Sequence, residues 1–417
     1  MEAGARAPRG ETRLLVASAA AILLITMGAR QSLGLFVAPL NQATGLGIVA
    51  ISLAMAIGQF VWGLAQPIFG AAADRFGSRR VLIAGALTLA AGAALTTVVS
   101  SELGLILAIG VLFAAGAAAG SFSILIGATA RRLAPEKRAF ASGIINAGGS
   151  LGQFLLAPIS QLFISSLGWV VAMYALAAAA LATIPLARPL SLSPHVDEPP
   201  GASGTAVASS GSLREQLRSA GRDRSYWCLH LGFFTCGFHI AFLVTHLPGE
   251  VNLCALPASV AAGSLAIIGL SNVAGSLGIG WLGGAFRMKW LLFYVYLTRA
   301  VAIGVYLMMP RTPLTFYAFA AVLGLTWLST VPPTAGLVGK LFGVRHLATL
   351  FGLTLLSHQI GGFFGAWLGG MALVRFGDYG WMWYADMSLA LAAALINLPI
   401  REAPVVRRPA GPLASSA

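Results

Sequence analysis

Arg30 stands in Gly28-Ala29-Arg30-Gln31-Ser32-Leu33-Gly34, three residues past the middle of an apolar run that extends from 14 to 40. At about 1.5 Å of rise per residue, it sits within roughly 5 Å of the centre of that run. An arginine at such depth costs at least about 2.5 to 3.5 kcal/mol unless it meets water, a carboxylate or a ligand. Snorkelling to either edge is a poor escape from the middle, so Arg30 points to a substrate or coupling role. Its guanidinium can grip a carboxylate through two parallel hydrogen bonds, which an ammonium group cannot reproduce.

Two further charges, Arg299 and Asp386, interrupt later apolar runs. Buried charges persist when paired, so a mutual structural ion pair is expected. One run also carries Cys236, His239 and His246, and the seven-residue separation puts both histidines on one helix face. Three readings stay open: a metal site from Cys236 and His239, satisfied packing histidines, or protonatable groups facing a cavity. We carry His239 and His246 forward as proton-coupling candidates and expect no metal. Asn146, Gln153, His358 and Gln359 are polar groups in two glycine-rich runs and are candidates to meet a ligand. Trp327, Ser329, Thr330, Pro332 and Pro333 predict a bent or broken helix, with Trp327 beside the ligand if the break lines a cavity.

The elements that must position these residues are membrane spans. The chain has 417 residues, is 58% hydrophobic and 9% charged, and has a mean hydropathy of +0.84. Those values exclude a water-soluble globular domain. A spanning helix needs about 20 apolar residues, and twelve such runs are present, at 14–40, 48–69, 81–100, 103–128, 140–165, 168–187, 225–248, 256–284, 290–309, 312–339, 348–374 and 379–399. The first is too long for the apolar core of a signal peptide and is read as a span. The net charge of +13 is scattered through short loops, so no nucleic-acid face is implied. With the N-terminus inside, 22 of the 26 basic residues fall in cytoplasmic segments and only Arg311 and Arg375 outside. The positive-inside rule thus puts both termini in the cytoplasm. Cys228, Cys236 and Cys254 imply no disulfide framework.

The runs divide into a six-helix unit at 1–187, a Pro-, Ser- and Gly-rich linker at 188–224, a second six-helix unit at 225–400 and a tail at 401–417. The linker lacks the hydrophobicity to bury a core, although Leu213 to Arg224 reads as a short amphipathic helix. An offset of 209 pairs Ala139, Gly143, Gly152, Phe154, Ala157 and Gly168 with Ala348, Gly352, Gly361, Phe363, Ala366 and Gly377, so spans 5 and 11 are repeats. No phosphate-binding loop, H-E-x-x-H or serine elbow appears, which argues against primary active transport and proteolysis.

Between spans 2 and 3 lies Gly70-Ala71-Ala72-Ala73-Asp74-Arg75-Phe76-Gly77-Ser78-Arg79-Arg80. The pattern G-x-x-x-D-R-x-G-x-R-R at this place resembles the signature of the major facilitator superfamily of secondary transporters. The resemblance implies an all-α polytopic membrane protein of twelve transmembrane helices in two parallel six-helix repeats, with substrate at their interface near the midplane. It also implies that Asp74, Arg75, Gly77, Arg79 and Arg80 form a cytoplasmic gate, and that Arg299 and Asp386 lie in an outer support layer. Span 5 with Gln153-Phe154-Leu155-Leu156-Ala157-Pro158, span 1 ending Gly34-Leu35-Phe36-Val37-Ala38-Pro39-Leu40, and the long central loop look like the bacterial monocarboxylate and oxalate/formate branch. The arginine that this branch carries in span 8 has no counterpart among Ser264, Ser271, Asn272 and Ser276. Arg30 is then the candidate positive charge. The expectation is a non-enzymatic, cofactor-free carrier of a small organic anion, coupled to protons, in a bacterial inner membrane and functional as a monomer. A multidrug or metabolite exporter, or a non-transporting membrane sensor, are the alternatives.

Overall fold

The computed structural model describes residues 9–130, 132–133, 135–191, 213–283, 285–342 and 347–402. Every regular element among them is helical. The first apolar run forms α1 (Arg9–Gln31), a 3-10 turn at Leu33–Phe36 and α2 (Val37–Thr44). α3 (Ile48–Phe76) then meets α4 (Ser78–Thr96) at Gly77, whose φ of +91° admits only glycine comfortably. The fourth run is α5 (Glu102–Leu105), a π-helical stretch at Ile106–Phe113, α6 (Ala114–Ala119) and α7 (Phe122–Ala130). α8 (Pro135–Leu167) and α9 (Trp169–Leu186) complete the first six runs.

The expected amphipathic segment appears as α10 (Leu213–Gly221), where buried Gln216 donates to Phe342 O at 2.5 Å. The rest of the linker, at 192–212, and the tail beyond 402 lie outside the described residues. The second six runs are α11 (Arg224–Leu253), α12 (Ala258–Leu282), α13 (Met288–Met308), a broken pair α14 (Pro313–Thr326) and α15 (Val331–Phe342), α16 (Leu347–Phe376) and α17 (Gly380–Asn397). Among the described residues, ten helical runs are long and apolar enough to span a membrane. The remaining two, α16 and α17, have lengths of 30 and 18 residues and carry His358, Gln359 and Asp386.

Small residues let the helices approach closely, which is how packing replaces the hydrophobic effect inside a bilayer. A Cβ on Gly28 of α1 would lie 2.5 Å from Gly152 O of α8, and one on Gly152 would lie 2.0 Å from Leu24 O. The same contact recurs between α11 and α16, where a Cβ on Gly237 would lie 1.7 Å from His358 O and one on Gly361 2.0 Å from Phe234 O. Gly28 and Gly237 are 209 residues apart, as are Gly152 and Gly361. The repeat seen in spans 5 and 11 therefore extends to the partners of those spans.

The two sets of helices meet along antiparallel pairs. α3 runs against α16, with Gly370 at Ser52, Gly362 at Gln59 and Gly63 at Gln359. α8 runs against α12, where Asn272 Nδ2 donates to Ser150 Oγ at 3.0 Å. At the α2 end the seal is tight, since Gly34 abuts the Val244 carbonyl of α11. Towards the Arg79 end the same four helices present Gly70, Gly143, Gly278 and Gly352 to open space. The structure is closed at one end and separates towards the other.

Asp223 fixes the start of α11: its Oδ1 accepts from the backbone N–H of Ser225 (2.8 Å) and Tyr226 (3.2 Å), while Oδ2 accepts from Arg401 at 2.5 Å. The arginine is 57% exposed, so the cap outweighs the bridge. Asp223→Ala is expected to cost roughly 1 to 2 kcal/mol, and Arg401→Gln less than about 1 kcal/mol. Thermal unfolding of the purified variants checks this order, and a larger loss in Arg401→Gln would overturn it.

Candidate functional site

Arg30 is partly buried at the end of α1, where its Nη2 donates to Gln59 Oε1 of α3. Its guanidinium carbon lies 4.3 Å from the centroid of the Trp62 ring. Gln59 and Trp62 are three residues apart and so share one face of α3. Among the described residues, no carboxylate pairs with Arg30. The side chain borders a small recess lined by Gln59, Met55, Phe113, Ala114 and, from the second helix set, Val244 and Thr245. Ile109 and Phe113 reach it from the π-helical stretch, a kind of irregularity common at functional sites. Among the described residues, the arrangement is a cation without a carboxylate partner, held by a neutral acceptor and an aromatic face where the two helix sets meet.

The other expected ligand groups are distributed unevenly. Gln359 is buried against Gly63 of α3, one turn along from Gln59, and its Oε1 has no partner. His358 Nδ1 accepts from Gln359 Nε2 at 3.2 Å, and its ring stands within the field of both Arg30 and Arg299. Gln153 is buried where α8 meets α12, with its Nε2 unpartnered. Asn146 is half-buried. Trp327 is fully buried with its ring 5.9 Å from that of His239, and it is not among the residues lining the recess. Gln59 and Trp62 are absent from the sequence-based candidates, although a glutamine three residues before a tryptophan in an apolar run was a usable signal.

The expected Arg299–Asp386 pair does not form. The partner of Asp386 Oδ2 is His239 Nδ1, at 2.5 Å, and all three residues are fully buried. Arg299 instead serves the break in span 10, where its Nη2 donates to Thr326 O at 2.7 Å and Trp327 O at 3.3 Å. The interruption leaves carbonyls at the end of α14 without helical partners, and a cation at a helix C-terminus satisfies both the carbonyls and the helix dipole. Cys236 Sγ lies 3.2 Å from Thr330 Oγ1 in the same break. Among the described residues, no group of three or more metal-ligating side chains forms. His246 Nε2 donates to Ala366 O at 2.6 Å, and its Nδ1 lies 3.5 Å from Tyr379 Oη.

At the α3–α4 junction, Gly77 N donates to Ala73 O at 3.0 Å, and Arg79 and Arg80 are exposed. The side chains of Asp74 and Arg75 lie outside the described residues.

A family model described as Major Facilitator Superfamily matches residues 19–302. The chain belongs to the major facilitator superfamily. Like other members of the superfamily it is a multi-pass membrane protein, all-α and built from two six-helix repeats. Among curated superfamily relatives, Monocarboxylate transporter 11 of Mus musculus is 26% identical over 95% of this chain and 89% of its own length. The Oxalate:formate antiporter of Oxalobacter formigenes is 25% identical over 86% and 84%. The crystal structure of a D-xylose-proton symporter shares the fold, with a TM-score of 0.72 and 14% identity over 94% of this chain and 98% of that one.

Proposed function

We propose that this chain carries small organic anions of the monocarboxylate class across a bacterial inner membrane by alternating access, moving a proton with each anion. The observation that carries the reading is Arg30, a guanidinium held between Gln59 and Trp62 at the recess between the two helix sets, with no carboxylate among the described residues to neutralise it. An unpaired cation in a low-dielectric recess recruits an anion. The relatives named for monocarboxylate and for oxalate and formate transport support the same substrate class. Gln359 and His358 on α16 and Gln153 and Asn146 on α8 complete the set that meets the anion, with Trp327 behind His239. His239 and His246 carry the proton.

The two units at 1–187 and 225–400 rock about this site, joined by the segment 188–224, with the tail at 401–417 and both termini in the cytoplasm. Asp74, Arg75, Gly77, Arg79 and Arg80 form the latch on that side. Purified protein in proteoliposomes, loaded with radiolabelled formate, oxalate, lactate or pyruvate, is expected to exchange at least one of them and to accelerate as external pH falls. Transport of neutral and cationic compounds alone would replace this reading with a drug exporter.

A further inference from the structure

The face of α11 that meets α17 carries a row of titratable side chains that no substrate role absorbs. Glu250 lies near the α2 end, where Tyr306 Oη donates to its Oε1 at 2.8 Å and Arg311 Nε lies 3.8 Å away. One turn inward, His246 faces Tyr379. Deeper still, Phe242 and Trp383 meet edge to face with centroids 4.9 Å apart. Beyond these rings lies the His239–Asp386 contact. His239, Phe242, His246 and Glu250 share one face of α11, and Trp383 and Asp386 share one face of α17, with Tyr379 at its N-cap. The row descends from the closed end of the structure to mid-membrane.

The groups around the inner pair are few. α13 contributes Arg299 and Tyr296, whose Oη donates to Gly232 O; the break in span 10 contributes Trp327 and Thr330; α11 itself contributes Cys236. α16 contributes His358, which also feels Arg299, and α12 brings no charged side chain. Arg299 is permanently charged, so an ionised Asp386 with a neutral His239 gives a buried cluster of net charge zero. Asp386 Oδ1 and His239 Nε2 are both buried without a partner, so the pair has unused capacity for a proton.

We propose that His239 and Asp386 together form the proton-binding site of the carrier, and that the seam between α11 and α17 admits the proton from the end bearing Glu250. One proton added to the pair takes the cluster from zero to +1, whichever partner holds it, with Arg299 unchanged. A positive charge added to one repeat favours, through the low-dielectric interior, an anion bound beside the other. Arg30 and His239 are 209 residues apart, the spacing of the repeat. Equivalent positions in the two halves therefore hold the anion's cation and the proton's base. The Phe242 and Trp383 rings separate the outer groups from the pair and must swing aside for the proton to pass, which makes the seam a gated route.

This inference rests on the proton-coupled reading above, and its test needs no transported substrate. In reconstituted protein, infrared difference spectra between pH values of about 8 and 5 are expected to contain a carboxyl or imidazolium band that is lost in both Asp386→Asn and His239→Gln. Asp386→Glu, which keeps the acid, is expected to restore it, so failure of one variant to fold leaves the test intact. Glu250→Gln is expected to keep the band at equilibrium and to slow its appearance after a pH jump at least fivefold. Bands that persist in Asp386→Asn, or that disappear independently in the two variants, would overturn the shared site. An unchanged rate in Glu250→Gln would overturn the route. A lost band alongside absent carboxylate flux would retire the anion reading and leave the proton site standing.

Discussion

Arg30→Lys is expected to lower the affinity for small carboxylates by one to two orders of magnitude although the charge is kept. The guanidinium is positioned from two sides, by the Gln59 acceptor and by the Trp62 face, which leaves its remaining N–H groups to present a planar fork to the recess. An ammonium on a flexible stem cannot form two parallel hydrogen bonds to one carboxylate, nor stack on the indole in the same way. A hydrogen bond to a charged group contributes about 1.5 to 3 kcal/mol, and about 1.4 kcal/mol corresponds to a factor of ten. Losing one such bond therefore predicts a ten- to hundredfold loss. Counterflow in proteoliposomes gives the apparent affinity, and thermal unfolding in parallel shows whether the fold survives. An Arg30→Lys protein that binds every anion as well as wild type would end the anion assignment.

The two buried arginines illustrate what a sequence can and cannot reveal. Both interrupt apolar runs, and both raise the same demand for a partner. For Arg299 the expected partner was Asp386, and the helices that carry them, α13 and α17, do pack against each other. The choice between partners then turned on local geometry. The break between α14 and α15 exposes carbonyls within reach of Arg299, and His239 on α11 reaches Asp386 first. The sequence signalled the break through Trp327 to Pro333, yet not that a neighbouring helix would cap it.

The same limit appears at Arg30. Its depth and its lack of a local partner were evident from hydropathy alone, and so was the need for polar company. Gln59 and Trp62 were not picked out, because averaging over a span hides its few polar side chains, Gln59 and Gln66 among them. The repeat was legible at spans 5 and 11 from matched glycines. Its extension to Gly28 and Gly237 became visible only when each glycine was seen against the backbone of its partner helix.

Gly34→Ala should abolish transport while leaving the protein folded, because this glycine acts between the halves and not within one. A Cβ at Gly34 would lie 1.8 Å from Val244 O and 3.2 Å from Thr245 O, and a backbone carbonyl cannot rotate away as a side chain can. The turn at Leu33–Phe36 and the outer part of α11 would have to separate, opening the α2 end. A carrier must close each end in turn, so a variant that cannot close one end populates the wrong state. Shifting a two-state equilibrium from mostly closed to mostly open takes about 5.5 kcal/mol, a cost that an overlap this deep with fixed backbone is expected to exceed. Gly237→Ala is the contrast, since its Cβ would lie 1.7 Å from His358 O inside one helix set, where there is no alternative state to adopt. That variant is expected to lose thermal stability outright. Spin labels at exposed Gln42 and Asn252 would report a longer distance in Gly34→Ala than in wild type, with flux reduced at least tenfold and melting little changed. Normal flux in Gly34→Ala, or a collapse in its melting temperature like that of Gly237→Ala, would show that the contact at the α2 end is not a moving seal.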